Sequence, residues 1–322
     1  MGKPKAVALV SGGLDSILAV YLVKLQGVEV IGVNFHTPFL TLQDMEKVRE
    51  FLGIPFKEIF LGEEMIEVIK NPRYGYGQGM NPCIDCRILM LKKAKEIMEE
   101  VGAKFVITGE VLGQRPMSQR REVFPLMDRE AGLERRVLRP LSARLLPPTI
   151  PEEEGWVKRE ELLDIQGRGR KIQLALAEKV GLTHYSSPAG GCLLTDPIFS
   201  RRLKDLMEKN PNFGLKEVEL LKVGRHFRLS SGKKLIVGRN REENRKLLSL
   251  AGPEDYLLQE IEGKGAVVFL SSPVDEEELL EGGALAAFYS KKRNRELVEV
   301  RWKRGKEEGR FWVKPERKGR MV

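Results

Sequence analysis

Near its N-terminus the sequence carries a short loop whose residue types suit phosphate binding. The loop, from Ser11 to Ser16, reads Ser-Gly-Gly-Leu-Asp-Ser and directly follows the apolar run from Ala6 to Val10. Glycine lets a backbone turn tightly and bring its N–H groups close to phosphate oxygens. A helix predicted from Leu14 to Gln26 would direct its N-terminus at the same anion. The loop thus predicts a nucleotide site, and an ordinary strand-to-helix turn is the alternative.

The polar side chains of this loop suit different parts of a nucleotide. Ser11 and Ser16 can donate hydroxyl hydrogen bonds to phosphate oxygens. Asp15 is better suited to a Mg²⁺ ion that rides on the phosphates, because Mg²⁺ prefers carboxylate oxygens. The spacing excludes a Walker loop, since no Gly-Lys-Ser/Thr follows. It also excludes the G-x-G-x-x-G dinucleotide turn, since Gly12 and Gly13 are adjacent.

Three cysteines form the second group of residues that could do chemistry. Cys83 and Cys86 have C-x-x-C spacing at the entrance to a helix predicted to begin near Arg87, and a helix N-terminus favours thiolate. Cys192 lies in a glycine-rich loop, residues 188–192. Three thiolates suit a [4Fe–4S] cluster with one iron left open, which can carry substrate. A redox dithiol, a zinc site completed by a histidine and buried structural cysteines are the alternatives.

These groups must be positioned by the elements around them, and the first part of the chain alternates strands with helices. That alternation predicts a doubly wound parallel sheet with helices on both faces, in which ligands bind at the carboxyl ends of the strands. The predicted strands after the first are Val28–Phe35, Pro55–Phe60 and Phe105–Ile107, and the predicted helices after the first are residues 41–52 and 88–101.

A break at residues 210–214 predicts a domain boundary, with one domain over residues 1–212 and another over 213–322. Beyond the break, short strands such as Lys234–Val237 and Ala266–Leu270 predict a second, smaller α+β domain.

Composition limits the partners and the setting. The chain has 322 residues, a net charge of +9 and a pI near 9.3, which favour a polyanionic partner. No apolar run is long enough to cross a bilayer, and the N-terminus has no signal-peptide pattern. We therefore expect a cytoplasmic protein without a membrane partner, whose three cysteines stay reduced.

Several motifs occur in an order that resembles a known family. They are Val10–Ser16, Asn34–Pro38, Cys83–Arg87, Thr108–Gln114 with Gln119 shortly after, Leu138–Leu141 and the Cys192 loop. Over roughly the first two thirds of the chain they resemble the catalytic domain of the ATP-dependent tRNA sulfurtransferases that make 4-thiouridine, and more loosely the 2-thiouridine synthases. The resemblance implies the PP-loop ATP pyrophosphatase fold, which is adenine nucleotide alpha hydrolase-like.

The resemblance also implies a set of site residues and cofactors. The cofactors are ATP, Mg²⁺ and, from the cysteines, a [4Fe–4S] cluster. The catalytic residues are Asp15 and the three cysteines, and the cluster ligands are Cys83, Cys86 and Cys192. The residues expected to hold the nucleotide are Val10, Ser11, Gly12, Gly13, Asp15, Ser16, Asn34, Phe35, Arg87, Gly109 and Gln119.

The last third of the chain resembles the RNA-binding domain of the NFACT proteins. The stretches that carry this resemblance are Leu229–Asn240, Glu243-Asn244 and Tyr289–Arg293. From residue 286 onward there are 13 Lys or Arg residues against 5 Glu, with aromatic residues between them, a pattern suited to phosphate contacts and base stacking. A solvated basic tail with core aromatics is the alternative. The predicted RNA-binding residues are Lys291, Lys292, Arg293, Arg301, Trp302, Lys303 and Arg304.

Together these features predict ATP-dependent thiolation of a tRNA uridine. A uridine carbonyl is adenylated, and sulfur then replaces the activated oxygen. The expected partners are tRNA and a sulfur donor, which could be sulfide, a cysteine desulfurase or a sulfur carrier, and a homodimer is one open oligomeric state. The alternatives are a persulfide mechanism without metal, an amidating ATP pyrophosphatase, and a non-catalytic RNA-binding protein regulated by ATP.

Overall fold

The computed structural model describes residues 3–40, 45–186 and 192–322, and it divides into two compact units, Met1–Asp196 and Pro197–Val322. The predicted boundary between residues 212 and 213 lies later in the chain than this division. The helix Pro197–Lys209 accounts for the difference, because Arg202 in that helix donates to the carbonyl oxygens of Leu221 and Gly224. Its polar composition does not reveal that it belongs with the second unit.

The first unit alternates strands with helices, as the sequence predicts. Its strands are β1 (Lys5–Leu9), β2 (Glu29–His36), β3 (Phe56–Phe60), β4 (Phe105–Ile107) and β5 (Val137–Leu138). Its helices are α1 (Leu14–Leu25), α2 (Glu46–Leu52), α3 (Glu63–Lys70), α4 (Cys83–Glu100), α5 (Val123–Glu130), α6 (Ile150–Glu153) and α7 (Lys171–Lys179). The N-terminal part of the predicted helix over residues 41–52 lies outside the described residues.

All five strands of the first unit form one parallel sheet in the order β3-β2-β1-β4-β5. The predicted doubly wound fold is therefore confirmed. The central strand β1 is apolar because it is covered on both faces, and Ala6, Val7 and Ala8 have no exposed surface. Since the strands are parallel, the chain leaves β1, β2, β4 and β5 at one edge of the sheet.

The second unit contains the remaining elements. Its helices are α8 (Pro197–Lys209), α9 (Leu215–Leu221), α10 (Arg241–Leu250) and α11 (Glu276–Phe288). Its strands are β6 (Arg225–Arg228), β7 (Lys234–Val237), β8 (Tyr256–Glu260), β9 (Val268–Leu270), β10 (Val298–Arg304), β11 (Glu307–Val313) and β12 (Arg320–Met321).

These strands form an antiparallel sheet in the order β11-β10-β8-β9-β7-β6-β12, which confirms the predicted smaller α+β fold. Leu285 of α11 packs in one apolar cluster with Leu258 of β8. Leu247 of α10 packs in a second cluster with Phe269 of β9 and Ile236 of β7. The middle of the sheet is thus covered on both faces.

No helix among residues 3–40, 45–186 and 192–322 is both long enough and apolar enough to span a lipid bilayer.

One close backbone approach fixes the start of α1 against the end of β4. A Cβ atom at Gly109 would lie 2.5 Å from the backbone nitrogen and Cα of Ser16 and 2.6 Å from the carbonyl carbon of Asp15. These are backbone atoms of the first turn of α1, so no side chain can move aside. Glycine at position 109 is therefore required by packing within the protein itself.

We expect Gly109→Ala to destabilise the first unit by about 3 kcal/mol, because the added methyl group must push β4 and α1 apart. Gly169→Ala is the matched control, since a Cβ there has no neighbour within 4 Å and φ is not positive. The control should change stability by less than about 1 kcal/mol. Calorimetric unfolding of the full chain measures both. Equal midpoints for the two variants would contradict the packing argument.

Candidate functional site

The loop from Ser11 to Ser16 is held in shape by its own hydroxyl groups. The Ser16 hydroxyl donates to the carbonyl oxygen of Gly13 at 2.8 Å, and the Ser11 N–H donates to Ser16 Oγ at 3.3 Å. Gly12 has a φ of 77°, which only glycine adopts readily. Gly13 precedes α1 without a side-chain cap, so no capping side chain competes for the first N–H groups of the helix. The loop is preorganised to receive an anion at the α1 N-terminus.

Asn34 joins the ends of β1 and β2. Its side-chain amide donates to the carbonyl oxygen of Val10 at 2.7 Å, and the residue is buried. Phe35, the next residue, is also almost fully buried. The Asn34 amide therefore holds the end of β1 in place, and burial of both side chains favours the backbone of Asn34 and Phe35 for the predicted contact with a nucleotide.

Asp15 has two partners that the sequence did not indicate. Gln114 donates to Asp15 Oδ2 at 3.1 Å, and Arg170 Nη2 lies 3.2 Å from the same oxygen. Arg170 reaches this position because the segment before it binds the loop after β4, where the Gly167 N–H donates to the carbonyl oxygen of Leu112 at 2.7 Å. Arg170 lies in the Gly-Arg-Gly-Arg segment at residues 167–170, which marks a basic loop in the sequence but does not reveal that this loop reaches Asp15.

Three buried polar atoms, on Asp15, on its partner Arg170 and on the predicted nucleotide ligand Gln119, have no hydrogen-bond partner among the described residues. They are Asp15 Oδ1, Arg170 Nε and Gln119 Oε1. Buried polar atoms without partners are costly and rare in native proteins. The carboxylate oxygen of Asp15 suits a bound cation, the N–H of Arg170 suits a phosphate, and the amide oxygen of Gln119 suits a hydrogen-bond donor. A nucleotide with its metal ion would satisfy all three atoms.

A buried ionic network lies at the ends of β4 and β5. Glu110 follows β4, and its Oε2 accepts from Arg139 Nε and from the Thr108 hydroxyl, each at 3.1 Å. Arg139 follows β5, forms a two-pronged pair with Asp128 at 2.7 and 2.9 Å, and stacks on Phe124.

Arg87 joins this network from α4. Its Nε lies 3.1 Å from Glu110 Oε1, but the geometry is that of an ion pair and not of a directed hydrogen bond. The structure gives Arg87 a structural contact, since Glu110 holds its guanidinium in place. Its role as a phosphate ligand stays a prediction.

The first helical turn of α4 carries two of the cysteines. The helix begins at Cys83, earlier than the predicted start near Arg87, so Cys83 and Cys86 lie one turn apart. Asp85, between them, accepts the backbone N–H groups of Arg73 and Tyr74 at 3.0 and 3.1 Å, which anchors the preceding segment.

Cys192 is brought to the same place by backbone hydrogen bonds. The Leu193 N–H donates to the carbonyl oxygen of Phe39 at 2.8 Å, and the Met80 N–H donates to the carbonyl oxygen of Leu194 at 2.9 Å. Cys192 itself forms an isolated antiparallel bridge with Leu40. The predicted glycine-rich loop before it, residues 188–191, lies outside the described residues. The chain after Cys192 is thus tied both to the end of β2 and to the segment before α4.

The three thiols lie close enough for their charges to interact. Burial, with smaller contributions from Cys192 and Cys83, raises the pKa of Cys86 to about 12, although the charge of Arg87 opposes this. Burial also raises the pKa of Cys83 and of Cys192, although the charge of Arg115 opposes this for both. The expectation that the helix N-terminus favours thiolate is therefore wrong for the protein alone, because burial dominates. Among the described residues, no three His, Cys, Asp or Glu side chains are arranged to hold a metal ion.

Three of the seven predicted RNA-binding residues have partners within the second unit, and the other four are exposed. Lys292 pairs with the carboxylates of Glu260 and Glu262, and Arg304 pairs with Glu254. Trp302 packs against the apolar core. The other four, which are exposed, are Lys291, Arg293, Arg301 and Lys303.

The dependence of the unfolding free energy on pH should change at acid pH because of Glu110. Burial raises the pKa of Glu110, but the charges of Arg87 and Arg139 outweigh it and hold the pKa below the ordinary value of 4.5. A carboxylate with a lowered pKa stabilises the fold fully above its ordinary pKa and loses that contribution as the pH falls. We expect Glu110→Gln to cost about 3 kcal/mol of unfolding free energy near neutral pH, because the arginines keep buried charges without a partner.

That deficit should shrink as the pH falls below about 4.5, measured by urea unfolding between about pH 2.5 and pH 8. Glu134→Gln is the control, since Glu134 is exposed and forms no ion pair with another described residue. A Glu110→Gln deficit that is constant across this pH range would show that the carboxylate charge is not what the network needs.

Comparisons with known proteins separate the chain into the same two parts. Residues 2–143 match the family of thiamine biosynthesis proteins (ThiI), and residues 224–321 match the NFACT protein RNA binding domain.

Curated relatives match over about 120 residues. A probable tRNA sulfurtransferase of Thermococcus kodakarensis is 37% identical over 122 residues, which are 34% of this chain and 30% of that protein. A tRNA-specific 2-thiouridylase (MnmA 1) of Caldanaerobacter subterraneus subsp. tengcongensis is 33% identical over 125 residues, which are 33% of this chain and 34% of that protein. The matched region thus spans about a third of the length of these relatives.

Among solved structures, a 4-thiouridine synthetase in complex with RNA and ATP is 22% identical with a TM-score of 0.39, covering 67% of this chain and 52% of that chain. The two family matches confirm both resemblances predicted from the sequence: residues 2–143 are similar to the ThiI family and residues 224–321 to the NFACT protein RNA binding domain.

Proposed function

We propose that this protein thiolates a uridine of tRNA at the expense of ATP. The observation that carries the proposal is that a preorganised phosphate loop and three cysteines lie at the same edge of the parallel sheet. The loop follows β1, Arg87 beside Cys86 pairs with Glu110 after β4, and Cys192 forms a bridge with Leu40 after β2. The substrate class is supported by relatives 33% and 37% identical whose names are tRNA-specific 2-thiouridylase and probable tRNA sulfurtransferase.

The first step is adenylation. The loop N–H groups and the α1 N-terminus bind the phosphates, and a uridine carbonyl oxygen attacks the α-phosphorus while pyrophosphate leaves. Arg170 pairs with Asp15 of the loop, and Arg87 pairs with Glu110 just after β4. In this proposal both arginines stabilise the negative charge that develops. Asp15 Oδ1, which is buried and has no partner among the described residues, fits a Mg²⁺ ion that would neutralise phosphate charge.

The second step is sulfur transfer. A sulfur nucleophile attacks the activated ring carbon, the new C–S bond forms, and the C–O bond breaks with AMP as the leaving group. The sulfur is held at Cys83, Cys86 and Cys192, where Arg87 and Arg115 stabilise an anion. Sulfide, a cysteine desulfurase or a sulfur carrier supplies it.

The number of thiols, three, suits a [4Fe–4S] cluster with one open iron better than a structural zinc ion, which takes four protein ligands. The cluster is proposed from this ligand number and chemistry, since the described side chains are not arranged around a metal position. A bound cluster would supply an open iron that holds sulfide. A persulfide on one of the same cysteines is the alternative source of sulfur, and it requires the thiolate that burial opposes.

The first experiment measures iron, acid-labile sulfide and tRNA thiolation in protein purified without oxygen. The wild type should contain about four irons and four sulfides per chain, and nucleoside mass spectrometry should show a sulfur-for-oxygen exchange that depends on ATP. Cys83→Ala and Cys192→Ala should lose both cluster and product, yet retain tRNA-dependent pyrophosphate release.

Three other outcomes separate the alternatives. An active but iron-free protein would replace the cluster by the persulfide mechanism. A product that gains nitrogen in place of oxygen would indicate amidation. Absence of tRNA-dependent pyrophosphate release in the wild type would contradict the enzymatic function and favour a non-catalytic RNA-binding protein.

We expect Arg170→Ala to lower kcat/KM for ATP by about 10- to 100-fold, because hydrogen bonds to charged groups contribute roughly 1.5–3 kcal/mol. Arg168→Ala is the matched control, since Arg168 lies in the same loop, is exposed and forms no ion pair with another described residue. Steady-state pyrophosphate release measures both. Equal losses in the two variants would show that Arg170 acts only through the net charge of the loop.

A further inference from the structure

The outer face of the β10–β11 hairpin is exposed at the edge of the second sheet. Val298, Val300 and Val313 point into the apolar core on the inner face. Because side chains alternate along a strand, the residues between them point the other way. On this outer face are Arg301, Lys303, Arg310 and Trp312, all of them exposed.

Strand register places these four side chains in one patch. Arg301 lies directly opposite Arg310, and Lys303 and Trp312 occupy the neighbouring positions on the same face. Two carboxylates lie at the ends of the patch, with Glu308 opposite Lys303 and Glu299 opposite Trp312. Residues opposite each other in an antiparallel pair have Cβ atoms roughly 5 Å apart, and diagonal neighbours are about 7–8 Å apart. The patch therefore presents three cations and an indole ring within reach of one short ligand.

Two features of this patch do not serve the fold. Arginines directly opposite each other repel and weaken strand pairing. Arg301, Lys303 and Arg310 form no ion pair with any other described residue, in contrast to Arg304, which pairs with Glu254. Trp312 is 63% exposed, although burying it would stabilise the protein. A polyanion would relieve the repulsion, and a stacked base would cover the ring.

We propose that this face binds single-stranded RNA, with Trp312 stacking on an unpaired base and Arg301, Arg310 and Lys303 contacting the flanking phosphates. Stacking requires a base whose face is free, which a continuous duplex does not offer, and it tolerates any sequence. The inference rests on the proposed function, in which the chain acts on tRNA, and it locates the RNA contact on residues of which only two were predicted from the sequence.

Fluorescence anisotropy of the full chain tests the face, with a labelled single-stranded RNA of about twelve nucleotides as the probe. Trp312→Leu should weaken binding by about 5- to 100-fold while the salt dependence stays the same, because it removes stacking and no charge. The double variant Arg301→Gln and Arg310→Gln should weaken binding and reduce the slope of log Kd against log salt by about 1.4, which is two phosphate contacts.

The matched control is the double variant Arg241→Gln and Arg245→Gln, which removes the same charge from exposed positions of α10 in the same unit. It should leave the affinity within about threefold. The inference is overturned if Trp312→Leu binds like the wild type, or if the control loses as much affinity as the hairpin variant. Equal competition by a blunt RNA duplex, or by polyglutamate as an acidic protein mimic, would overturn it as well.

These measurements use neither ATP nor sulfur. Failure of the proposed function would appear as a wild type without thiolation, whereas failure of this inference would appear as hairpin variants with unchanged RNA affinity.

Discussion

The buried carboxylate of Glu110 is the contact on which the first unit depends. It lies just after β4 and holds Arg139, which follows β5, and Arg87, which belongs to α4. Arg87 is the residue after Cys86, so the same carboxylate sets the position of the helical turn that carries two cysteines. Glu110 thus links the ends of β4 and β5 to the helical turn that carries the thiols. The phosphate loop is next to this network, because Gly109, the residue before Glu110, packs against Asp15 and Ser16.

A network of this kind specifies an arrangement more than it adds stability. Removing two charges from water costs several kcal/mol each, and their attraction offsets that cost only with good geometry. Here the geometry is good for Arg139, which has Glu110 on one side, Asp128 on the other and the ring of Phe124 beneath. It is incomplete for Arg87, which makes an ion pair without a directed hydrogen bond to Glu110. That difference leaves Arg87 partly available to a ligand, whereas Arg139 is fully used by the fold.

The sequence predicted local features well because local features have local causes. The apolar runs of β1 and β4, and the glycine pair between β1 and α1, were predicted because burial and tight turns leave marks in neighbouring residues. The partners of Asp15 could not be predicted, since Arg170 is 155 residues away and only the fold brings it close. The same holds for Cys192, whose position depends on backbone hydrogen bonds to Phe39 and Met80.

The ion-pair partners of charged residues were the hardest contacts to predict from the sequence. Lys292 and Arg304 were predicted to bind RNA because they lie in a basic segment, but they pair with the carboxylates of Glu260 and Glu254, which are remote in the sequence. Gly109 was expected to admit a nucleotide, yet the backbone of α1 lies where its side chain would be. In each case the residue type could be read from the sequence, but the group that it contacts could not, because that contact forms only in the folded chain.

The two units of the chain contribute binding energy in two different ways, one at reacting groups and one at groups that do not react. In the proposed reaction, contacts at the phosphate loop act on groups whose charge changes during adenylation, so they would stabilise the transition state more than the substrate. Contacts of an RNA-binding unit act on phosphates and bases that do not react, so they bind substrate and transition state equally and lower KM without raising kcat. A covalently attached binding unit also raises the effective concentration of RNA for its neighbour. The basic second unit can therefore be selected for affinity alone, and the buried network of the first unit for geometry alone.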